Sequence, residues 1–382
     1  MSMELFRMER MQSTWENLVD YDMSESGIRA VTLREMMALG FDMETMLDTP
    51  LGYSQSNGTL GLRERLAALY PGATVDHIEV TNGTSEANYL LALSRLTSGD
   101  TFALEVPNYL QLWGVPRGAG ATVRTFHLRP SEAAGWQIDW AEFDRAVTAD
   151  TRLVYITNPN NPTGSVLTSE DMHRIVDRCD KVGAYLIADE VYQGAELAGP
   201  VTPSFWGMSD RIIVTSGLSK AYGIPGVRIG WIVGPPEIVA QCWAQHDYLT
   251  IGPSKLSDEL ARVAVEPRVR EHLYGRTRAI LTQNYPVVSD WVASFGDFLT
   301  LIPPAAAAMV FLKYASEVPS ESIAEWLRAK QSTLVVPGSH LGMEGYLRVW
   351  TGGKPEYLRE GLRRVGVGLE ALRSGALAGA PV

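Results

Sequence analysis

The sequence predicts an α/β fold, a large domain built on a mostly parallel seven-stranded sheet, with a smaller α+β domain after it. Three observations lead there. Through the centre of the chain, short β-prone runs alternate with longer amphipathic segments. Several of those runs are apolar on both faces, as strands buried between two layers of helices must be. Past residue 265 the rhythm changes to one long helical stretch, then short strands flanked by helices, an α+β pattern.

Taken in order, the strand runs are IEV at 78–80, TFALEV at 101–106, ATVRTFHL at 121–128 and LVYIT at 153–157. AYLIAD at 184–189, IIVTSGLS at 212–219 and IGWIVG at 229–234 complete them. A helix is predicted over Thr84–Leu96. Another is predicted over Ser169–Gly183, with Ser169 as N-cap, Glu170 and Asp171 in the first turn and Gly183 as the stop. Strand, helix and strand at this spacing give parallel pairs with helices on both faces. Val265–Trp291 reads as a long helix. AAMVFLKY at 307–314 and GYLRVWT at 345–351 read as strands, with helices near 320–331 and 355–372. The expected organisation is an N-terminal segment at 1–40 that joins the small domain, a large domain at 41–275 and a small domain at 276–382. SGALAGAPV, at the end, is expected to be a loose tail.

Composition narrows the function. Among 382 residues, 33 Lys and Arg against 44 Asp and Glu leave a net charge of −11. Such a surface repels phosphate backbones and anionic membranes, so neither nucleic acid nor membrane is an expected partner. The two cysteines, Cys179 and Cys242, form no CxxC, and the six histidines include no i, i+4 pair, so no metal is implied. The start, MSMELFRMERMQSTWENL, is mixed in charge and unlike a signal peptide, and the uncharged stretch at 298–312 is too short to span a bilayer. A cytoplasmic protein is expected.

Four short segments carry chemistry: NGTSEA at 82–87, NPNNPTG at 158–164, ADEVY at 188–192 and SGLSKAYGIPGVRIGW at 216–231. Between a strand and a helix, the small residues from Asn82 leave backbone N–H groups free to seat an anion. Two prolines hold Asn161 rigidly at the C-terminal edge of a strand, where open α/β sheets bind ligands. Asp189 ends a buried run, and a carboxylate there needs a cation or strong donors. Tyr192 adds a phenol to the same loop. Lys220, locked between SGLS and AYGIPG, is placed as a nucleophile able to form a Schiff base. Arg228 adds a permanent cation suited to phosphate.

These four segments, in this order, resemble the aspartate-aminotransferase superfamily, the fold type I pyridoxal-phosphate (PLP) enzymes, and within it the class I/II aminotransferases. The resemblance runs from about Ser24 to about Gly366. It implies a transferase that moves an amino group between an amino acid and a 2-oxo acid, with pyridoxal 5′-phosphate as cofactor. Lys220 matches the lysine that holds the cofactor as a Schiff base and moves the proton. Asp189 matches the partner of the pyridine nitrogen. Tyr192 and Asn161 match the donors to the ring's phenolic oxygen, and Tyr109 the aromatic that stacks on the ring. Gly83, Thr84, Ser85 and Arg228 match the phosphate cup. Arg348, with the backbone of Gly27 and with Asn161 beside it, matches the grip on the substrate's α-carboxylate. Tyr53 matches a tyrosine that reaches the partner subunit's phosphate, which implies a homodimer.

One position departs from the pattern. The family usually has Ser or Thr three residues before the lysine, where this chain has Gly217. Ser216 or Ser219 is expected to supply the hydroxyl. The stretch DMSESGIRAVTLREM is similar to a branch that includes PLP enzymes of natural-product pathways, some of which cyclise or oxidise arginine-derived amino acids. The same electron sink serves transamination, elimination and cyclisation, so these readings stay open. A regulator that only senses PLP usually carries an extra DNA-binding domain, which an acidic chain entering the PLP fold by residue 24 does not suggest. HDYLTIGPSKLSDEL at 246–260 lacks the arginine that dicarboxylate-specific members place over the side-chain carboxylate, so the donor is not expected to be aspartate or glutamate.

Overall fold

All seven predicted runs lie in one sheet of the computed structural model, which describes residues 3–376. The strands are β1 (Tyr21–Asp22), β2 (Ile78–Thr81), β3 (Thr101–Val106), β4 (Thr122–Ser131), β5 (Gly135–Ile138), β6 (Thr151–Thr157), β7 (Tyr185–Asp189), β8 (Ile212–Gly217), β9 (Gly230–Val233), β10 (Leu299–Leu301), β11 (Met309–Tyr314), β12 (Thr333–Leu334), β13 (Val336–Pro337) and β14 (Tyr346–Trp350). The large sheet runs β2-β9-β8-β7-β6-β3-β4-β5. Its centre, from β8 to β4, is parallel, and β9 lies antiparallel to both β8 and β2. The eighth strand, β5, was not expected. The third run continues to Ser131, reverses, and returns as an antiparallel hairpin arm on which Trp136 and Ile138 alternate inward. Four residues with only two apolar inward positions give too weak a period to read.

Alternation explains how the sheet is covered. Phe102, Leu104, Tyr155, Ile187 and Ile213 pack on one face with Leu90 and Leu91 of the Thr84–Arg95 helix. Ala103, Val154, Ile156, Leu186 and Val214 pack on the other with Met172, Ile175 and Cys179 of the Ser169–Val182 helix. Each large aliphatic side chain buried this way contributes roughly 1.5–3 kcal/mol. The cap of the second helix is Thr168 rather than Ser169. Its hydroxyl accepts from Asp171 N–H while Asp171 reaches back to it, a reciprocal pairing that Ser169 is one residue too late to make.

A second, antiparallel sheet runs β10-β11-β14-β13. Val288 and Val292 of the Pro267–Ala293 helix pack in the same apolar cluster as Val310, Leu312, Leu347 and Val349 of this sheet. So do Ile323 and Leu327 of the Ser320–Gln331 helix and Leu358, Leu362 and Val365 of the Pro355–Arg373 helix. The N-terminal segment is split between the two cores: Met8 and Met36 are buried in the first, and the stretch from Tyr21 to Met23 joins this layer. β1 pairs in parallel with β12, Trp350 N–H donates to Met23 C=O at 2.8 Å, and Met23 lies inside the second core. The predicted tail lies mostly outside the described residues. Among the described residues, no helix is long and apolar enough to cross a membrane.

Candidate active site

The parallel strands deliver Thr157, Asp189 and the loop after Gly217 to one edge of the large sheet, where a cavity of about 300 Å³ opens. Its lining includes Thr84, Ser85, Tyr109, Asn161, Asp189, Tyr192, Ser219, Lys220 and Arg228. Nine of the sequence-predicted residues are therefore brought together. Others stand elsewhere. Ser216 lies on the strand side, its Oγ 3.5 Å from the Glu190 carbonyl, and does not line the cavity. Tyr53 is 92% exposed, beside Asn82, Ile251 and Lys255 on the outer surface, so it does not complete the site of its own chain.

Asp189 is buried, and three donors converge on it. Asn88 Nδ2 lies 2.9 Å and Tyr155 Oη 3.0 Å from Oδ2, and Val191 N–H 3.1 Å from Oδ1. Thr215 Oγ1 donates to Asn88 Oδ1 at 2.9 Å and fixes which way the amide faces. Burial pushes the Asp189 carboxyl up, the three donors pull it down, and the balance stays above the usual carboxylate value. No Lys or Arg of the described residues forms an ion pair with it. A cation is the partner this carboxylate lacks.

Lys220 is half-buried, and its surroundings are polar. Its Nζ donates to Ser26 Oγ at 2.7 Å. Glu25 stands beside them, its carboxyl held below the usual range by the Lys220 charge and by the N–H groups of Gly27 and Ser26. Gly27 sits next to the lysine's stem, where an added Cβ would be 3.6 Å from Lys220 Cδ and 3.3 Å from Ser219 O.

The loop carrying Asn161 is anchored from below. Buried Glu105 accepts from Asn108 Nδ2, Thr157 N–H and Asn160 Nδ2 at 2.9–3.0 Å. Asn160 Oδ1 in turn accepts from Thr163. Asn161 Oδ1 accepts from Arg348 Nη1 at 3.0 Å, which leaves its Nδ2 as the free donor. Arg348, 1% exposed, also donates through Nη2 to the Ser24 carbonyl, and its Nε has no partner. Burial pulls its pKa below the usual arginine value.

The anion seat is the start of the Thr84–Arg95 helix. The first-turn N–H groups of Thr84 and Ser85 have no partner within the helix. Gly83 adopts φ +90°, and a Cβ there would collide with the Arg228 guanidinium. Arg228 Nη1 lies 3.4 Å from Ser219 Oγ, so Ser219, not Ser216, stands with the guanidinium. Gly217 has a physical reason. A Cβ there would be 2.5 Å from Thr84 Oγ1 and 3.0 Å from the Ile229 carbonyl, so the usual Ser or Thr has no room.

Several contributors were not read from sequence. Ser26 holds Lys220, and Asn88 and Tyr155 hold Asp189. Asn88 was visible as the one amide inside ANYLLAL, and Tyr155 as the one hydroxyl inside LVYI. The N-terminal helix Arg7–Trp15 and its flanks supply Glu9 and Glu16, which with Glu25 stand at the mouth of the cavity. Buried Gln12 pins that helix, donating to Ser24 C=O at 2.8 Å. Glu9 accepts from Tyr109 Oη at 2.8 Å, and Phe6 meets the Tyr109 ring edge-on at 5.0 Å.

The chain is similar to known proteins along most of its length. The family model described as aminotransferase class I and II matches residues 23–365. Capreomycidine synthase of Streptomyces vinaceus is 29% identical over 344 residues, covering 86% of this chain and 84% of that protein. A PLP-dependent aminotransferase from Streptococcus suis superposes with a TM-score of 0.89 at 29% identity, covering 97% of this chain and 98% of that one. The PLP-dependent cyclase OrfR gives a TM-score of 0.87 at 25% identity, with coverage of 97% and 98%.

The residues fit pyridoxal phosphate. Asp189 is a buried carboxylate without a cation. Tyr192 Oη and Thr84 Oγ1 are buried without partners, one beside the place for a ring and the other at the anion seat. Buried polar groups left in this state cost about 1–3 kcal/mol each unless a ligand meets them.

Proposed function

We propose that this chain, which belongs to the class I and II aminotransferase family and is a PLP-dependent enzyme, transfers the amino group of a neutral or cationic L-amino acid to a 2-oxo acid. The observation that carries the reading is the sharing of one cavity by Lys220 and a buried Asp189 that has no cationic partner. When bound, the cofactor supplies an electron sink for charge developing at the donor's Cα. Asp189, whose carboxyl Asn88, Tyr155 and Val191 N–H support against the cost of burial, would pair with the pyridine nitrogen and favour its protonated form. Asn161 Nδ2 and Tyr192 Oη would donate to the phenolic oxygen. Thr84, Ser85, Ser219 and Arg228 would hold the phosphate, and Tyr109 would cover the ring. Arg348 takes the α-carboxylate, with Nε as its free donor. Lys220 Nζ, parked on Ser26 Oγ, moves the proton at Cα.

The mouth supports the donor class. Glu9, Glu16 and Glu25 stand there, and among the described residues Arg228, already assigned to phosphate, is the one arginine in the lining, Arg348 being buried against Asn161. A side-chain carboxylate would meet three like charges, whereas a cation would meet complementary ones. The same acidic mouth favours a second reading, a cyclase, eliminase or oxidase acting on an arginine-like amino acid, and one relative is a capreomycidine synthase. A homodimer is part of the proposal, because Tyr53 is displayed outward rather than toward its own cavity.

The test incubates PLP-loaded protein with single amino acids and no acceptor. Transamination releases one equivalent of the matching 2-oxo acid per chain. A cyclised or dehydrogenated product, or free ammonia, supports the second reading. Turnover of aspartate or glutamate above every neutral and basic donor overturns the donor class.

A further inference from the structure

Behind the anion seat lies a buried cluster of ionisable groups that the proposed chemistry does not touch. His246 ends the Pro236–His246 helix and is fully buried, as is Glu79 on β2. His246 Nδ1 is 2.8 Å from Glu79 Oε1, and its Nε2 is 3.1 Å from Glu86 Oε2 and 3.0 Å from Thr250 Oγ1. Glu86 is the third residue of the helix that begins at the seat. Its Oε2 accepts from Asn82 N–H at 2.6 Å and from Asn82 Nδ2 at 2.9 Å, and its Oε1 accepts from Thr250 Oγ1 at 2.8 Å. Asn82 immediately precedes Gly83, and its carbonyl lies 3.4 Å from Arg228 Nη2. One carboxylate therefore clamps the chain entering the seat, and one imidazole stands against that carboxylate.

The clamp needs a charge. Glu86, mostly buried, must stay ionised to accept both Asn82 donors, and the cation touching it is His246. Burial by itself would drive His246 neutral, but hydrogen bonds to Glu79 and Glu86 outweigh it and hold the imidazole up to about 9. Burial would raise Glu86, yet His246, Asn82 and Thr250 bring it down to about 2. Burial pushes Glu79 up to about 7, leaving one of its oxygens without a partner. The remaining ionisable neighbours of the cluster are Arg63 and Cys242, both on the Glu79 side.

We propose that His246 is a positioning residue for the cofactor's phosphate: as the cation paired with Glu86, it fixes Asn82, whose carbonyl faces Arg228, and the first turn that presents Thr84 and Ser85. This rests on the reading of that turn as the phosphate cup. The test measures dissociation constants of pyridoxal 5′-phosphate and of pyridoxal, which lacks the phosphate, by equilibrium dialysis of full-length protein between about pH 6 and 10. His246→Gln is expected to weaken pyridoxal phosphate about tenfold, the scale of a lost charge-assisted contact, and to leave pyridoxal unchanged. In the wild type, the advantage of the phosphate form should fall as pH rises through about 9, where the imidazole loses its proton. The variant should lack that step. Should His246→Gln not fold, Thr250→Val removes the bridging hydroxyl and is expected to give a smaller, equally phosphate-selective loss. An unchanged constant, or equal losses for both ligands, overturns the proposal. A wild type that does not prefer the phosphate form overturns instead the reading of the cup.

Discussion

Replacing Glu9, Glu16 and Glu25 together by glutamine should erase the preference for a cationic donor. The three carboxylates stand at the cavity mouth in reach of water. Each is therefore worth about 0.2–1 kcal/mol toward a cation, not the several kcal/mol of a buried pair. Three such contributions sum to roughly 0.6–3 kcal/mol, or about 3- to 150-fold in relative kcat/KM. Glu16 should carry the largest single share. Partial burial and the charges of Asp22, Glu25 and Glu9 raise its pKa, so it gains most from a positive partner. Glu25 already has Lys220 beside it. The assay compares kcat/KM for L-arginine and L-citrulline, which match in shape and differ in charge. In the wild type the ratio should favour arginine and shrink with salt, as screening shortens to a few ångströms near about 1 M. It should also fade on acidification, Glu16 losing its charge early. A wild type that prefers citrulline, or a ratio that the triple substitution leaves unchanged, refutes the reasoning.

Asp189→Asn should fold and retain cofactor, yet lose about 10²–10³ in kcat, the scale set by one preorganised charge in a dry site; near-normal turnover would place the nitrogen's partner elsewhere. Arg348→Ala should raise KM for every amino donor by roughly 2–5 kcal/mol, because truncation also strands Asn161 Oδ1 and the Ser24 carbonyl; an unchanged KM would reassign the α-carboxylate. Mixing Lys220→Ala with Tyr53→Phe chains should produce heterodimers with one repaired site, visible as activity above either parent, and sedimentation as a monomer would refute the dimer. Burial pushes Glu105 up to about 8, so the stability it confers is complete below its unfolded value near about 4.3 and is lost as pH rises through about 8. Glu105→Gln should flatten the decline of Tm across that window, and melts that keep the wild-type slope would contradict this.

What the sequence made legible follows from how local each signal is. Parallel strands declared themselves because both faces are buried, and Lys220, Asp189 and Asn161 because each sits in a run of small or rigid residues at a strand end. β5 stayed hidden because half of its short period faces water. Ser26, Asn88 and Tyr155 were hidden for another reason. Each acts through a partner at least 34 residues away, and no local pattern encodes that distance. The acidic mouth was missed likewise, since nothing local marks Glu9 and Glu16 until the fold lays the Arg7–Trp15 helix over the cavity. Gly217 was read as a gap in the cup, whereas its lack of a side chain makes room for Thr84 Oγ1.

The seam between β1 and β12 bears on the order in which the polypeptide matures during synthesis. Arg348 and Ser24, which face each other in the finished site, are separated by 324 residues. Closing a loop of that size costs roughly 5 kcal/mol of chain entropy, to be recovered only when both ends can pack. Ribosomes deliver Ser24, Glu25, Ser26 and Gly27 more than 300 residues before β12 and β14, which dock against this stretch. Until then Met23 has no core to enter and Ser24 no guanidinium to meet, while the large sheet needs nothing beyond residue 233 to pair its strands. A nascent chain would thus hold a nearly complete cofactor half for the time needed to translate the remaining residues, with the substrate half still open. The topology thus lets the cofactor's residues assemble before Arg348 closes the substrate's grip.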